Sequence, residues 1–326
     1  MVQSTLPAAA PPNWVDHAHP LGRCINALLA VEPLRRLLFL QARQVIIRTA
    51  ERRGIAWRRR REQLRQQAEP LLPLTGNPAT TPPAYYEARF HAYQRGNLCW
   101  AAACEAEQAT DAMALRVWPH EQLMPEQAQQ RLRTAIFEAV EPSLKGPVLQ
   151  ALDVGCSVGV STLALQAWLG DRQVEPAAVS GLDLSPHMLA VARVRDRDGC
   201  IHAWHHAAAE ATGLPAQSVD LITLQFVCHE LPGAATLAVL QEAARLLRPG
   251  GVVALVDQDP DSAVIRSLPA PIATLLKSTE PYLEEYFCLD LPAALEQAGF
   301  QEVRREACDP RHRVLIANRS ALPAGA

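Results

Sequence analysis

The residues best equipped for chemistry gather around one stretch, Val148 to Gly170, VLQALDVGCSVGVSTLALQAWLG. An apolar run ending at Val154 breaks into Gly155-Cys156-Ser157-Val158-Gly159, and Val160 to Leu169 then takes up helical spacing with Ser161 and Thr162 in its first turn. The order is strand, tight loop, helix. Gly155 and Gly159 let backbone approach a ligand closely, and the amides opening the helix give a mildly positive edge. Asp153, at the strand's end, can accept hydrogen bonds. A nucleotide-like ligand fits such a turn, although packing alone also produces glycine-rich turns in α/β chains.

The next unit narrows the ligand. Ala177 to Leu184 reads as a second apolar strand ending in Asp183, about two dozen residues past the loop, where an acidic side chain binds the two hydroxyls of a ribose. The dinucleotide pattern G-x-G-x-x-G is not met: Ser157 takes the middle glycine's place and Thr162 stands where a third would help seat a pyrophosphate. A nucleoside is favoured over NAD. A further strand, Val219 to Val227, runs into Cys228-His229-Glu230, which puts His229 at the ligand edge of a parallel sheet. A neutral imidazole there can take a proton as a general base, and a positioning hydrogen bond is the competing role. Glu230 reads as a solvated or capping carboxylate.

With Asp153-x-Gly155-x-Ser157-x-Gly159, Gly181-Leu182-Asp183-Leu184-Ser185, Gly213-Leu214-Pro215, Val219-Asp220-Leu221-Ile222 and Leu247-Arg248-Pro249-Gly250-Gly251 in this order, the chain resembles the class I S-adenosylmethionine-dependent methyltransferases. It looks most like the branch that includes the ubiquinone and menaquinone biosynthesis C-methyltransferases, and the resemblance runs from Gln150 to the C-terminus. It implies an α/β fold with a doubly wound, seven-stranded, mostly parallel sheet, and S-adenosylmethionine as cofactor. The implied cofactor contacts are Asp153, near the amino-acid end, then Gly155, Cys156, Ser157, Gly159, Asp183 on the ribose, Leu184, Glu210 and Gln225. The family's acidic residue on the adenine amine is replaced by alanine, at Ala208, which leaves Glu210 or a backbone carbonyl for that role.

Stepping outward, 326 residues with 49% apolar composition can bury a large core, and the net charge of −3 predicts no bulk affinity for nucleic acid. The eight cysteines are scattered without a C-x-x-C, which reads as reduced, buried thiols of a cytoplasmic protein rather than a disulfide frame. No metal site is expected, because no His, Asp or Glu cluster has ligand spacing. No apolar run approaches the roughly 20 residues that span a bilayer, and no secretory leader is evident.

Four segments follow from composition: a loose tail over 1–20, basic amphipathic helices over 21–69, a linker and helical lid over 70–145, and the cofactor-binding domain over 146–326. The helices over 21–69 interleave aliphatic residues with arginines, which suits either packing on the body or peripheral attachment to an anionic membrane surface. The linker is marked by Pro70, Pro73, Gly76, Pro78, Pro82 and Pro83. Beyond it Tyr86, His91, Tyr93, Asn97 and Trp100 form an aromatic and polar group, read as a substrate lid, with a packed core as the competing reading. Tyr282, Glu285, Tyr286 and Phe287 can line the substrate side or form a helix packing face. The resulting expectation is in-line methyl transfer to a small, lipophilic or ring-bearing acceptor. A non-catalytic cofactor-binding regulator and a nicotinamide-dependent reductase are the alternatives, and the oligomeric state is left open.

Overall fold

A computed structural model of the chain describes residues 20–87, 93 and 95–320. Seven strands form one sheet: β1 Gln150–Val154, β2 Ala178–Asp183, β3 Ala203–His206, β4 Val219–Gln225, β5 Leu247–Gln258, β6 Phe300–Ala307 and β7 His312–Arg319. Their spatial order is β3-β2-β1-β4-β5-β7-β6, with β1 to β5 parallel and β7 antiparallel to both its neighbours. The chain leaves β1 toward β2 on one side and returns to β4 on the other. The carboxyl ends of β1 and β4 therefore bracket a crevice, the usual ligand position in open α/β sheets.

Among the described residues twelve helices surround the sheet: α1 Pro20–Leu29, α2 Glu32–Arg52, α3 Trp57–Ala68, α4 Trp100–Val117, α5 Pro125–Val140, α6 Val160–Arg172, α7 Pro186–Arg195, α8 Gly233–Leu246, α9 Ala263–Arg266, α10 Ala270–Thr279, α11 Leu283–Cys288 and α12 Leu291–Gln297. Strand alternation sorts the core into two layers. Leu152, Val154, Ile222, Leu224, Val253 and Leu255 meet α8, α11 and α12 on one face. On the other, Ala151, Leu221, Val252 and Ala254 meet α5 and α6, and Ile47, Ile55 and Trp57 of the N-terminal cap join the same cluster. A third cluster sets Leu64 and Ala68 of α3 against Ala102 and Ala103 of α4 and Met188 and Val191 of α7. Among the described residues, no helix is long and apolar enough to cross a membrane.

Two segments differ from the sequence reading. The stretch over 70–83 is no free linker: a 3-10 turn, Glu69–Leu74, is followed by a run tied to the body. Thr75 Oγ1 donates to the Pro186 carbonyl at 3.0 Å, the Asn77 amide donates to His206 Nδ1 at 2.8 Å, and Thr80 Oγ1 donates to the His206 carbonyl at 2.9 Å. Prolines marked a break in regular structure, and short polar side chains still dock it. The basic region folds as three helices, α1 to α3, and Gly54, at φ 89°, turns the chain between α2 and α3 before Trp57 enters the core. The boundary between basic helices and body is thus erased by packing.

Glycine substitutions at two positions should have opposite signs. A Cβ on Gly181 would stand 2.6 Å from the Trp204 ring and 2.9 Å from Cys156 Sγ, so Gly181→Ala should destabilise by about 1–3 kcal/mol. Gly170 lies inside α6 with nothing within 4 Å of a Cβ, so Gly170→Ala should stabilise by about 0.5–1 kcal/mol. Urea unfolding midpoints with unchanged slopes check both.

Candidate functional site

The loop after β1 turns three times through the left-handed region: Gly155 at φ 69°, Ser157 at φ 49° and Gly159 at φ 77°. That winding brings the Gly155 and Cys156 amides onto the Leu182 carbonyl at 2.8 and 3.0 Å, lashing the loop to β2. The glycines also serve close packing, since a Cβ on Gly155 would meet Val227 at 2.5 Å and one on Gly159 would meet Trp204 at 2.6 Å. Cys156 is buried beneath the loop, where burial pushes its thiol well above the ordinary range and keeps it protonated.

The two acidic residues closing β1 and β2 behave differently. Asp153 is 1% exposed and accepts from Ser161 Oγ at 2.6 Å, Thr162 Oγ1 at 2.7 Å and Thr223 Oγ1 at 2.7 Å. Its carboxylate is spent inside the fold, joining β1, β4 and the first turn of α6; burial still leaves its pKa raised against those donors. Asp183 accepts from the Ser157 amide at 2.8 Å through one oxygen and from the Ser185 amide at 2.8 Å through the other. Burial pushes its pKa up to about 6, the two amides pulling the other way. Each oxygen keeps a further lone pair, so the group can still accept from a ligand. Leu184 follows, and its carbonyl takes the Nε2 proton of His206 at 3.0 Å, a tautomer fixed because Nδ1 accepts from Asn77.

Over this crevice lie residues 75–87 and 95–99. Tyr85 donates its hydroxyl to Glu210, and burial with that carboxylate keeps the phenol protonated. Tyr86 is half-buried and hydrogen-bonded to Asn97, with Asp183 and Glu230 close enough to raise its pKa beyond what burial alone does. Asn97 donates to Glu230 at 2.9 Å, and its carbonyl accepts from Ser185 Oγ at 2.8 Å. Tyr282 closes the far side, donating to the Tyr85 carbonyl at 3.2 Å with the two rings edge to face at 6.3 Å.

His229 lies on a single 3-10 turn, Cys228–Glu230, beyond β4. Its amide and Nδ1 both meet Asp257, at 3.1 and 2.7 Å. Burial alone would lower its pKa, but Asp257, and behind it Glu280 and Glu230, raise it to about 10. The Asp257 pair favours the protonated ring, which weighs against the proton-accepting role read from the sequence. Tyr286 packs edge-on against it at 6.4 Å and donates to the Gln258 carbonyl at 2.7 Å.

The structure therefore gathers Gly155, Ser157, Asp183, Tyr86, Asn97 and His229 at one sheet edge and turns others away. Gln225 shares the face of Leu221 and Thr223, the side under α5, where it accepts from the buried Arg133. Tyr93 donates to Glu105 of α4 at 2.7 Å, and Trp100 stands edge-on to His187 at 5.0 Å with Arg65 over its ring. Both serve the joint between cap and body. His91 lies outside the described residues. Asp257 was missed, although it had the same signal as Asp183, an acid closing a parallel strand. Among the described residues no group of three His, Cys, Asp or Glu side chains is placed to hold a metal.

A family described as a methyltransferase domain matches residues 152–255, the part that carries the loop, Asp183 and His229. A demethylmenaquinone methyltransferase of Bacillus licheniformis is 34% identical over 112 residues, 34% of this chain and 46% of that protein. A trans-aconitate 2-methyltransferase of Methylobacterium radiotolerans is 39% identical, over 41% of this chain and 46% of that protein. The chain thus spans about half the length of these curated relatives. An uncharacterized methyltransferase of Synechocystis sp. is 30% identical over 49% of this chain and 70% of its own length. Matched over that much of a relative, and with the loop and strand order described above, the chain belongs to the class I S-adenosylmethionine-dependent methyltransferases.

Proposed function

We propose that the protein methylates a small acceptor that binds at the carboxyl ends of β4 and β5, beside S-adenosylmethionine held across the ends of β1 and β2. The observation that carries this reading is Asp183: a buried carboxylate, fixed by two amides, with acceptor capacity left over at the switch point of the sheet. The residues fit a nucleoside. Asp183 would take the ribose hydroxyls, Leu184 and the Tyr85–Glu210 pair would flank the base, and the loop from Gly155 to Gly159 would lie along the amino-acid end. Asp153 holds that loop's shape from within.

The bound cofactor supplies an electrophilic methyl for in-line displacement. The chain's part is to orient and to exclude water, which suits a reaction in which charge disperses. Tyr86, Asn97 and Tyr282 lie across the crevice and shut out solvent. His229, held by Asp257, keeps its protons and presents a donor to an oxygen of the acceptor, which favours an oxygen that carries negative charge. The ring-rich surroundings of Tyr85, Tyr86, Tyr282 and Tyr286 support a lipophilic or ring-bearing acceptor, in keeping with the quinone named for one relative.

Methyl transfer to a panel of hydroxylated quinones and phenols, read as S-adenosylhomocysteine formed, tests the activity; no turnover with any of them and no S-adenosylhomocysteine binding would remove the reading. By calorimetry, Asp183→Ala should weaken S-adenosylhomocysteine binding about tenfold or more, from the loss of a charged acceptor. The acceptor form of Asp183 exists above about pH 6, so affinity should fall as pH drops through that value. Asp183→Asn should flatten the profile, and a wild-type profile without the inflection would sink the assignment.

His229 carries a stability signature as well. Its folded pKa lies above the ordinary 6.5, so the pair with Asp257 contributes fully below about pH 6.5 and is lost as pH rises toward 10. His229→Gln should destabilise by about 3 kcal/mol near pH 6 by leaving Asp257 buried alone, with a difference that narrows as pH is raised. Unfolding curves for both proteins across that range decide it.

A further inference from the structure

The methyl-transfer reading leaves one feature of the chain unused, the cap of α1 and α2. Residues 20–68 hold twelve arginines against three glutamates, although the whole chain is net −3. Part of that charge is internal. Arg43 and Arg61 meet Glu105 of α4, and Arg60 and Arg195 share Glu107. Arg23, Arg48, Arg52, Arg53 and Arg59 instead face outward.

Apolar side chains share that outer side. Leu37, Val45, Arg48 and Arg52 recur at helical spacing on α2, opposite the buried Ile47 and Ala50. Leu37 is 51% exposed, Leu40 58% and Val45 59%, with Leu28 and Val31 exposed just before them. Ile272, 47% exposed, extends the patch on α10, against which α1 packs. Other exposed large apolar residues, such as Leu74, Met124 and Val174, are scattered singly over the body. Apolar residues grouped with arginines, whose stems lie flat while their heads reach outward, are the makings of a lipid-surface contact.

The position of the patch gives it a use. α10 runs straight into Glu280, and three residues after α10 ends Tyr282 reaches Tyr85 over the crevice. We propose that the outward face of α1 and α2, with Ile272 of α10, docks on an anionic lipid bilayer and holds the acceptor side of the crevice at the membrane surface. Charge complementarity selects the bilayer over a second copy of the chain, whose own patch would bring arginine against arginine. The docking is read from this surface alone, and only the naming of the crevice's acceptor side rests on the methyl-transfer reading.

Co-sedimentation of the full chain with phosphatidylcholine vesicles, with or without added phosphatidylglycerol, tests it at low and high salt. The expected result is binding to the anionic vesicles that weakens about tenfold in R48Q/R52Q/R53Q, in L37S/L40S/V45S, and at high salt. The arginine variant alters only exposed side chains, so it keeps the test decisive if the apolar variant folds poorly. No binding to anionic vesicles, or binding indifferent to both variants, would overturn the proposal. So would a dimer in sedimentation equilibrium that L37S/L40S/V45S abolishes, because a second copy would then cover the face.

Discussion

A carboxylate withdrawn from water at the end of β1 must find donors, and the site is arranged around that demand. Asp153 finds three hydroxyls, from Ser161 and Thr162 at the start of α6 and from Thr223 in β4. Those bonds fix where β1 ends and where α6 begins, so the five residues between have to turn tightly. The left-handed φ values at Gly155, Ser157 and Gly159 follow from the short span. So does the next bond outward: a loop so wound places the Ser157 amide against Asp183 at the end of β2. One buried carboxylate shapes the loop and a second, by way of that loop, keeps free lone pairs at the crevice.

The cap is held to the body by the same kind of demand with the charges reversed. Glu105 is nearly inaccessible on α4, yet Arg43, Arg61 and Tyr93 all reach it from other segments. Exposed ion pairs contribute little, but removing one partner from a buried acid is costly, so this network fixes the register of α2 and α3 more than it adds net stability. It also explains why an arginine-rich segment can fold onto an acidic protein at all. Among the described residues Arg43, Arg60 and Arg61 of the cap converge on Glu105 and Glu107, while Arg48, Arg52, Arg53 and Arg59 stay exposed.

How much of this was legible in the sequence depended on how local the cause was. The strands around the crevice could be read from alternation and from the glycine turn, because each strand's two faces are set by its own residues. Asp183 was legible for the same reason: its place follows from the loop length and the end of the strand. What failed was long-range. Nothing in Pro70 to Pro83 says that Thr75 and Asn77 will find Pro186 and His206, more than a hundred residues away. Tyr93 and Trp100 looked like a lid because aromatic residues clustered there, but Glu105 and His187 claim them. Gln225 stood at the right strand end and on the wrong face, a distinction of one residue in a period of two.

His229 shows how tertiary contacts bear on a chemical role. A histidine ending a central strand invites assignment as a base because its ordinary pKa lies near neutrality. Here burial favours the neutral ring, which the sequence reading assumed, yet Asp257 with Glu230 and Glu280 behind it outweighs that effect. The acid surplus has a second consequence. Asp183, Glu210 and Glu230 all lie along the same edge, tied there by Ser157, Tyr85 and Asn97. In a crevice of low dielectric such a rim favours a ligand that carries positive charge and disfavours a pyrophosphate. The carboxylates along this edge and the His229–Asp257 pair beside them leave the crevice with a surplus of acidic groups.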